Sequence, residues 1–107
     1  MSAISFQTFC RISSLSNMEL SQLAIFIEAA RCKSYSEAAR RLYLSHSTVS
    51  RAVSALEAEL GVALVMRSNH VIGLTEAGAR LYDGGQVLLA DADALAARVR
   101  DAQTEKR

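Results

Sequence analysis

From Glu19 onward, apolar residues recur at steps of three and four: Leu20, Leu23, Phe26, Ile27 and Ala30. This spacing predicts an amphipathic first helix. It runs into "RCKSYS", where consecutive small and polar residues mark a turn. Ser36 then reads as the N-cap of a short second helix, "EAARRL", which buries Ala38, Ala39 and Leu42. Its paired alanines let another helix approach closely. "YLS" makes the next turn, with Tyr43 expected to pack beneath it and Ser45 as N-cap of a third helix reaching Leu60. Val49, Val53, Leu56 and Leu60 form one stripe along that helix, and Gly61 follows as its stop. Short helices with a tight turn between the second and third are a helix-turn-helix arrangement.

After Gly61 the period changes. "VALVMR" and "VIGLT" are two β-prone runs around "SNH", with Asn69 suited to a left-handed turn position. A two-stranded hairpin at this place is a wing. Thr75 then caps a long final helix, from Glu76 to about Ala102. Along it Leu81, Leu88, Leu95 and Ala102 occupy one heptad position, and Gly85, Ala92 and Val99 the other. So small a domain offers such a seam no partner, so the helix is expected to pair with its copy on a second chain. The fold class that follows is mainly α: three helices and a two-stranded wing, then a long dimerisation helix.

Composition narrows the picture. The 107 residues allow one domain and little room for a deep cavity. Half are hydrophobic but only 6% aromatic, with no tryptophan, so the core should be aliphatic; the absence of proline favours long helices. A net charge of +1 names no partner by itself. Its distribution says more. Arg31, Lys33, Arg40, Arg41, Arg51 and Arg67 face only Glu37, Glu57 and Glu59 in the middle of the chain. From Glu76 to Asp101 the balance reverses, with Glu76, Asp83, Asp91, Asp93 and Asp101 against Arg80, Arg98 and Arg100. A basic middle beside an acidic helix suggests one face that meets an anion. Cys10 and Cys32 make no CxxC and fit a reducing compartment, with Cys32 structural. With two scattered histidines they build no zinc site, so no metal and no cofactor are expected. No apolar run approaches the roughly 20 residues of a membrane span. The serine-rich stretch "MSAISFQTFCRISSLSN" has no secretory core and reads as a poorly ordered extension, residues 1–17, with Met18 opening the folded part.

The third helix carries the candidate chemistry. On a wheel of about 100° per residue, Ser47, Arg51, Ser54 and Ala58 lie opposite the valine stripe, with Thr48 and Ser50 flanking them. Small residues let such a helix sink into a major groove, where hydroxyls and an arginine reach base edges or phosphates. The free N–H groups at its start favour an anion. A catalytic reading of His46 beside Ser45 and Ser47 fails on geometry, because helix neighbours point about 100° apart. No carboxylate is placed to orient His46, and no glycine-rich oxyanion loop is present, so no enzyme is expected.

At this point the residues match a family. From Met18 to about Leu89 the chain resembles the N-terminal DNA-binding region of LysR-type transcriptional regulators. The matching stretches are "MELSQLAIFIEAA", "SYSEAARRLYLSHSTVSRAVSALEAELGVALVMR" and "LTEAGARLY", in that order. The resemblance implies a winged helix-turn-helix at 18–75 and a linker helix with tail at 76–107. It implies a bacterial, cytoplasmic regulator that dimerises through the linker helix and reads an interrupted inverted repeat in double-stranded DNA. Helix-turn-helix dimers space their reading helices by about one DNA turn or multiples of it. Carried onto this chain, His46, Ser47, Thr48, Ser50 and Arg51 read the major groove, with Ser54 on the same face. Ser36, Arg40, Arg41, Ser45 and Arg67 are phosphate contacts, and Asn69 and His70 lie at the wing tip. Leu81, Gly85, Leu88, Ala92, Leu95 and Val99 form the dimer seam.

The chain departs from the family pattern. His46 stands where glutamine is usual, and His70 takes the usual wing arginine position, which would make a minor-groove contact weaker and pH-dependent. Gly84 and Gly85 interrupt the linker helix at about 1 kcal/mol each against alanine. Family members carry an effector-binding domain after the linker helix, whereas this chain stops at "DAQTEKR", so effector sensing is expected to be absent. The rival reading is an effector-less short form or a protein-interaction module that dimerises through the linker helix and competes with full-length regulators.

Overall fold

The computed structural model describes residues 19–68 and 71–105. Expectations for residues 1–17, Asn69 and His70 therefore lie outside the described residues. Helix α1 spans Leu20–Cys32, α2 Tyr35–Leu42 and α3 His46–Leu60. Strands β1 (Val65–Ser68) and β2 (Val71–Leu74) pair antiparallel, with Val65 opposite Leu74 and Ser68 opposite Val71. Helix α4 then runs over Glu76–Glu105, 30 residues or about 45 Å at 1.5 Å per residue. Three helices, a wing and a long helix are the architecture expected from the pattern.

The core lies where α1 crosses α2, α3 and α4. Leu23 and Phe26 of α1, Val49, Val53 and Leu56 of α3, and Leu64 ahead of β1 are its largest fully buried side chains. Each contributes on the order of 2 kcal/mol through removal from water. The core is aliphatic apart from Phe26 and Tyr35. No charged side chain among the described residues is buried. The buried faces differ slightly from the expected stripes. Ala29 is buried where Ala30 was expected, and Leu20 and Leu60 remain 49% and 38% exposed at the helix ends.

Two turns need correction. Ser34, not Ser36, caps α2: its hydroxyl accepts the Glu37 N–H at 3.1 Å, and the helix starts at Tyr35. Ser36 sits exposed in the first turn. Tyr43 does not pack beneath the following turn; it is 94% exposed and holds a left-handed backbone with φ 59°. Its N–H donates to the Arg40 carbonyl and the Leu44 N–H to the Ala39 carbonyl, closing α2 with paired reverse bonds. Of the two tyrosines it is Tyr35 that is buried, with its ring edge-on to that of His46.

Between α3 and α4 the backbone is knotted at one corner. The Glu57 carboxylate accepts the Leu64 N–H (2.8 Å) and the Val65 N–H (3.3 Å). Thr75 donates its hydroxyl to the Ala63 carbonyl (2.7 Å) and its N–H to the Leu64 carbonyl (3.1 Å), and its hydroxyl accepts the Gly78 N–H (3.0 Å). Thr75 thus caps α4 as expected and fixes it to the base of the wing. On the other side, the Ile72 N–H donates to the Lys33 carbonyl at 3.2 Å, tying β2 to the α1–α2 turn.

The glycine pair in α4 divides its roles. Gly85 is buried against α1, where an added Cβ would sit 2.9 Å from both Leu23 Cδ1 and Ile27 Cδ1. Gly84 has open space around it. Gly84→Ala is therefore expected to stabilise the chain by about 1 kcal/mol, the helix-propensity gain. Gly85→Ala should gain nothing net, because the same gain is offset by pushing two packed side-chain ends. Thermal melts of the two single variants check this, and an equal rise in both would deny the close approach.

Candidate nucleic-acid interface

The exposed polar face begins at the N-terminus of α3. Ser45 adopts an extended backbone and its hydroxyl accepts the Thr48 N–H at 3.1 Å, so the helix starts where the sequence places it. Ser45 Oγ also meets Thr48 Oγ1 at 2.8 Å and Ser47 Oγ at 3.3 Å. Three hydroxyls thus cluster at a helix start, each able to turn a donor or an acceptor outward. His46 is exposed, and its ring meets the Tyr35 ring edge-on, with centroids 5.8 Å apart at 61°. The buried tyrosine therefore orients the histidine without covering it.

One helical turn on, Ser47, Arg51 and Ser54 are exposed, with Thr48 and Ser50 half-buried at the flanks. Arg51 makes no hydrogen bond or ion pair among the described residues. It is an unspent guanidinium on a helix whose opposite side, Val49, Val53 and Leu56, is anchored in the core.

The arginines of α2 are already engaged. Glu37 binds Arg40 through two hydrogen bonds and Arg41 Nε at 3.3 Å. Arg41 also approaches Glu28 at 3.9 Å, and Glu28 holds Arg31 at 2.6 Å. The Glu37 carboxyl is held below the usual carboxylate range, chiefly by the Arg40 hydrogen bond. Arg40 and Arg41 must loosen these pairs before meeting phosphate, a cost Arg51 does not carry. Arg67 lies in β1 opposite Ile72, but its side chain, like Asn69 and His70, is outside what the structure describes. Cys32 is half-buried, its thiol raised above the ordinary range first by burial and then by its contact to Glu28. That favours the protonated thiol.

The expected dimer seam divides in two. Leu81 packs against the core of its own chain and Gly85 is buried on α1, so these positions are taken within the chain. Beyond them Leu88, Leu95 and Val99 are 44%, 54% and 63% exposed, and Ala92 is half-buried between them. Sequence reasoning assigned Leu81 and Gly85 outward because heptad spacing alone cannot tell an intramolecular face from an intermolecular one. It also missed Gln22 and Ile25 of α1, which line an open groove beside Thr48, Arg51 and Ser54. Nothing in the α1 sequence announces that proximity, because it follows from how α1 crosses α3. Among the described residues no group of three or more His, Cys, Asp or Glu is placed to hold a metal ion. No described helix is long and apolar enough to cross a membrane.

Comparison with known proteins agrees with this geometry. Residues 20–79 match the family model described as "Bacterial regulatory helix-turn-helix protein, lysR family". The HTH-type transcriptional activator AaeR of Escherichia coli K12 is 43% identical over 70 residues, 65% of this chain and 23% of that protein. The HTH-type transcriptional regulator PtxR of Pseudomonas aeruginosa is 35% identical over 91 residues, 85% of this chain and 29% of that protein. The chain thus spans about a quarter of the length of such relatives. Among solved structures, the CbnR DNA-binding domain in complex with DNA has a TM-score of 0.75 at 38% identity, covering 78% of this chain and 97% of that one. The BenM DNA-binding domain with benA site 1 DNA also has a TM-score of 0.75, at 27% identity, covering 78% and 98%. Motif order, fold and these matches converge: the chain belongs to the lysR family of bacterial regulatory helix-turn-helix proteins.

Proposed function

We propose that the chain is a sequence-specific module of a transcription regulator that docks the N-terminal half of α3 in the major groove of double-stranded DNA. One observation carries this most directly: Arg51 stands unpaired on a hydroxyl-lined helix face while its arginine neighbours are bound to carboxylates. An exposed Ser/Thr/Arg face with no internal partner serves a polar, anionic ligand. A module that only captured other proteins would have no use for it. The relatives named above are regulators, which fits a non-catalytic role in the bacterial cytoplasm. Ser45 adds to that reading, since its hydroxyl is spent on capping rather than poised for attack.

Recovering bound duplexes from a random pool with the purified chain tests this reading. We expect an interrupted inverted repeat to emerge. Affinity for it should fall steeply with salt as neutralised phosphates release counterions. No enrichment, or a flat salt profile, would reject the mechanism.

The dimer of this reading forms through the outer half of α4. Leu88, Ala92, Leu95 and Val99 give it an apolar stripe. An antiparallel second copy places Asp91 of each helix beside Arg98 of the other along the rim, whereas a parallel copy leaves both facing uncharged residues. Leu95→Asp should shift the chain towards monomer in sedimentation while leaving its melting behaviour near that of wild type at low concentration. An unchanged dimer would place the interface elsewhere.

A further inference from the structure

Between α1 and α3 runs an open groove. Ile25, Ala52 and Ala55 make its floor, and Gln22, Thr48, Arg51 and Ser54 its rim. We propose that this groove seats one sugar–phosphate strand of the duplex read by α3, with Gln22 as a positioning contact that α1 makes to a phosphate. The inference rests on the DNA reading above and assigns a place to a helix that reading left out.

Continuity is the first argument. Thr48, Arg51 and Ser54 belong both to the reading face and to the groove, so nothing separates the two surfaces. Geometry is the second. An α-helix with its side chains is about 10–12 Å across and the major groove about 12 Å wide, so a docked helix fills it. What lies beside the helix then meets the walls, which are the strands themselves. Thr48, Ala52 and Ala55 occupy that flank of α3, between the base-facing side and the buried stripe, and α1 stands next to it.

Chemistry is the third. A nucleic-acid strand alternates anionic phosphates with deoxyribose rings that present C–H surface. The groove matches with an apolar floor and a rim of amide, hydroxyl and guanidinium donors, and no acidic residue lines it. Gln22 is half-buried on α1 and its side chain makes no hydrogen bond among the described residues. Its amide is thus partly ordered with both donors unspent, which suits a contact that fixes register and carries no sequence information.

The test uses Gln22→Ala and Ala55→Glu in the purified chain, each titrated with the pool-selected duplex and with a scrambled duplex of equal length. Both positions leave the core untouched, and thermal melts should confirm it. Gln22→Ala is expected to weaken binding to both duplexes by a similar factor, about three- to tenfold, the loss of one charge-assisted hydrogen bond. Ala55→Glu should weaken both by about tenfold or more, because its carboxylate faces the phosphates. A loss confined to the selected duplex would mean that the groove reads bases, for instance a thymine methyl, and would overturn the backbone assignment. Unchanged affinities, with the wild type still preferring its selected duplex, would overturn the groove and leave the reading of α3 standing. A wild type without affinity for either duplex would remove both.

Discussion

Replacing Gly78 with alanine is expected to destabilise the chain by about 3 kcal/mol or more, the upper end of overpacking costs. An added Cβ there would stand 2.0 Å from the Leu64 carbonyl oxygen and 3.0 Å from its carbon. Those are backbone atoms, so no rotamer change relieves the clash. The same oxygen accepts the Thr75 N–H at 3.1 Å, and Thr75 Oγ1 accepts the Gly78 N–H at 3.0 Å. Moving Leu64 aside breaks the first bond, and moving the start of α4 breaks the second. Leu64 is itself almost fully buried, so its displacement also opens the core. For a domain of this size the loss corresponds to a melting temperature lower by about 12 °C or more. Calorimetry of Gly78→Ala beside Gly84→Ala is the comparison to make. Equal or raised stability in both would show that the α4 start does not abut the wing base as described. A loose junction would also free the angle between reading helix and dimer helix, so DNA affinity should fall with stability.

Arg51→Ala should reduce binding to the selected duplex by about 1–3 kcal/mol, roughly 5- to 150-fold, with the fold intact. The fold is spared because Arg51 is exposed, unpaired among the described residues, and replaced by a better helix former. Arg40→Ala should lose less, since its guanidinium already neutralises Glu37 and its removal trades one ion pair for another contact. The decisive quantity is the ratio of affinities for selected and scrambled duplex at a single salt concentration. A base-reading Arg51 lowers that ratio when removed. A phosphate-touching Arg51 lowers both affinities and leaves the ratio unchanged, and that outcome would assign specificity to the hydroxyls and His46 instead.

The architecture explains why a small domain can present such a face rigidly. Two sides of α3 are spent on packing and on the groove with α1, and its start is fixed by the Ser45 cap and by Tyr35 behind His46. Its end is held by Glu57, whose carboxylate accepts two N–H groups of the next loop. Glu57 therefore adds no free charge to the exposed face of α3. The same applies to Arg40 and Arg41, which local sequence presents as free cations and the helix turns towards Glu37.

Much of the molecule was legible in order along the chain. The three- and four-residue steps, the Ser45 and Thr75 caps and Gly61 placed α3, the wing and α4 because each signal acts within a few residues of itself. The face of α3 that carries Ser47, Arg51 and Ser54 followed from helical geometry once Val49, Val53 and Leu56 were recognised as inward. What escaped depends on contacts between distant segments. Ser34 rather than Ser36 caps α2, and Tyr35 rather than Tyr43 is the buried ring, because the path of the α1–α2 turn decides which ring reaches the core. Leu81 and Gly85 turn inward because α1 lies against α4 there, a fact no heptad count contains. The groove beside Gln22 and the closeness of Gly78 to Leu64 likewise arise only when helices far apart in sequence meet. Periodicity determines which side of each element is apolar; only packing decides what that side, and its flanks, are pressed against.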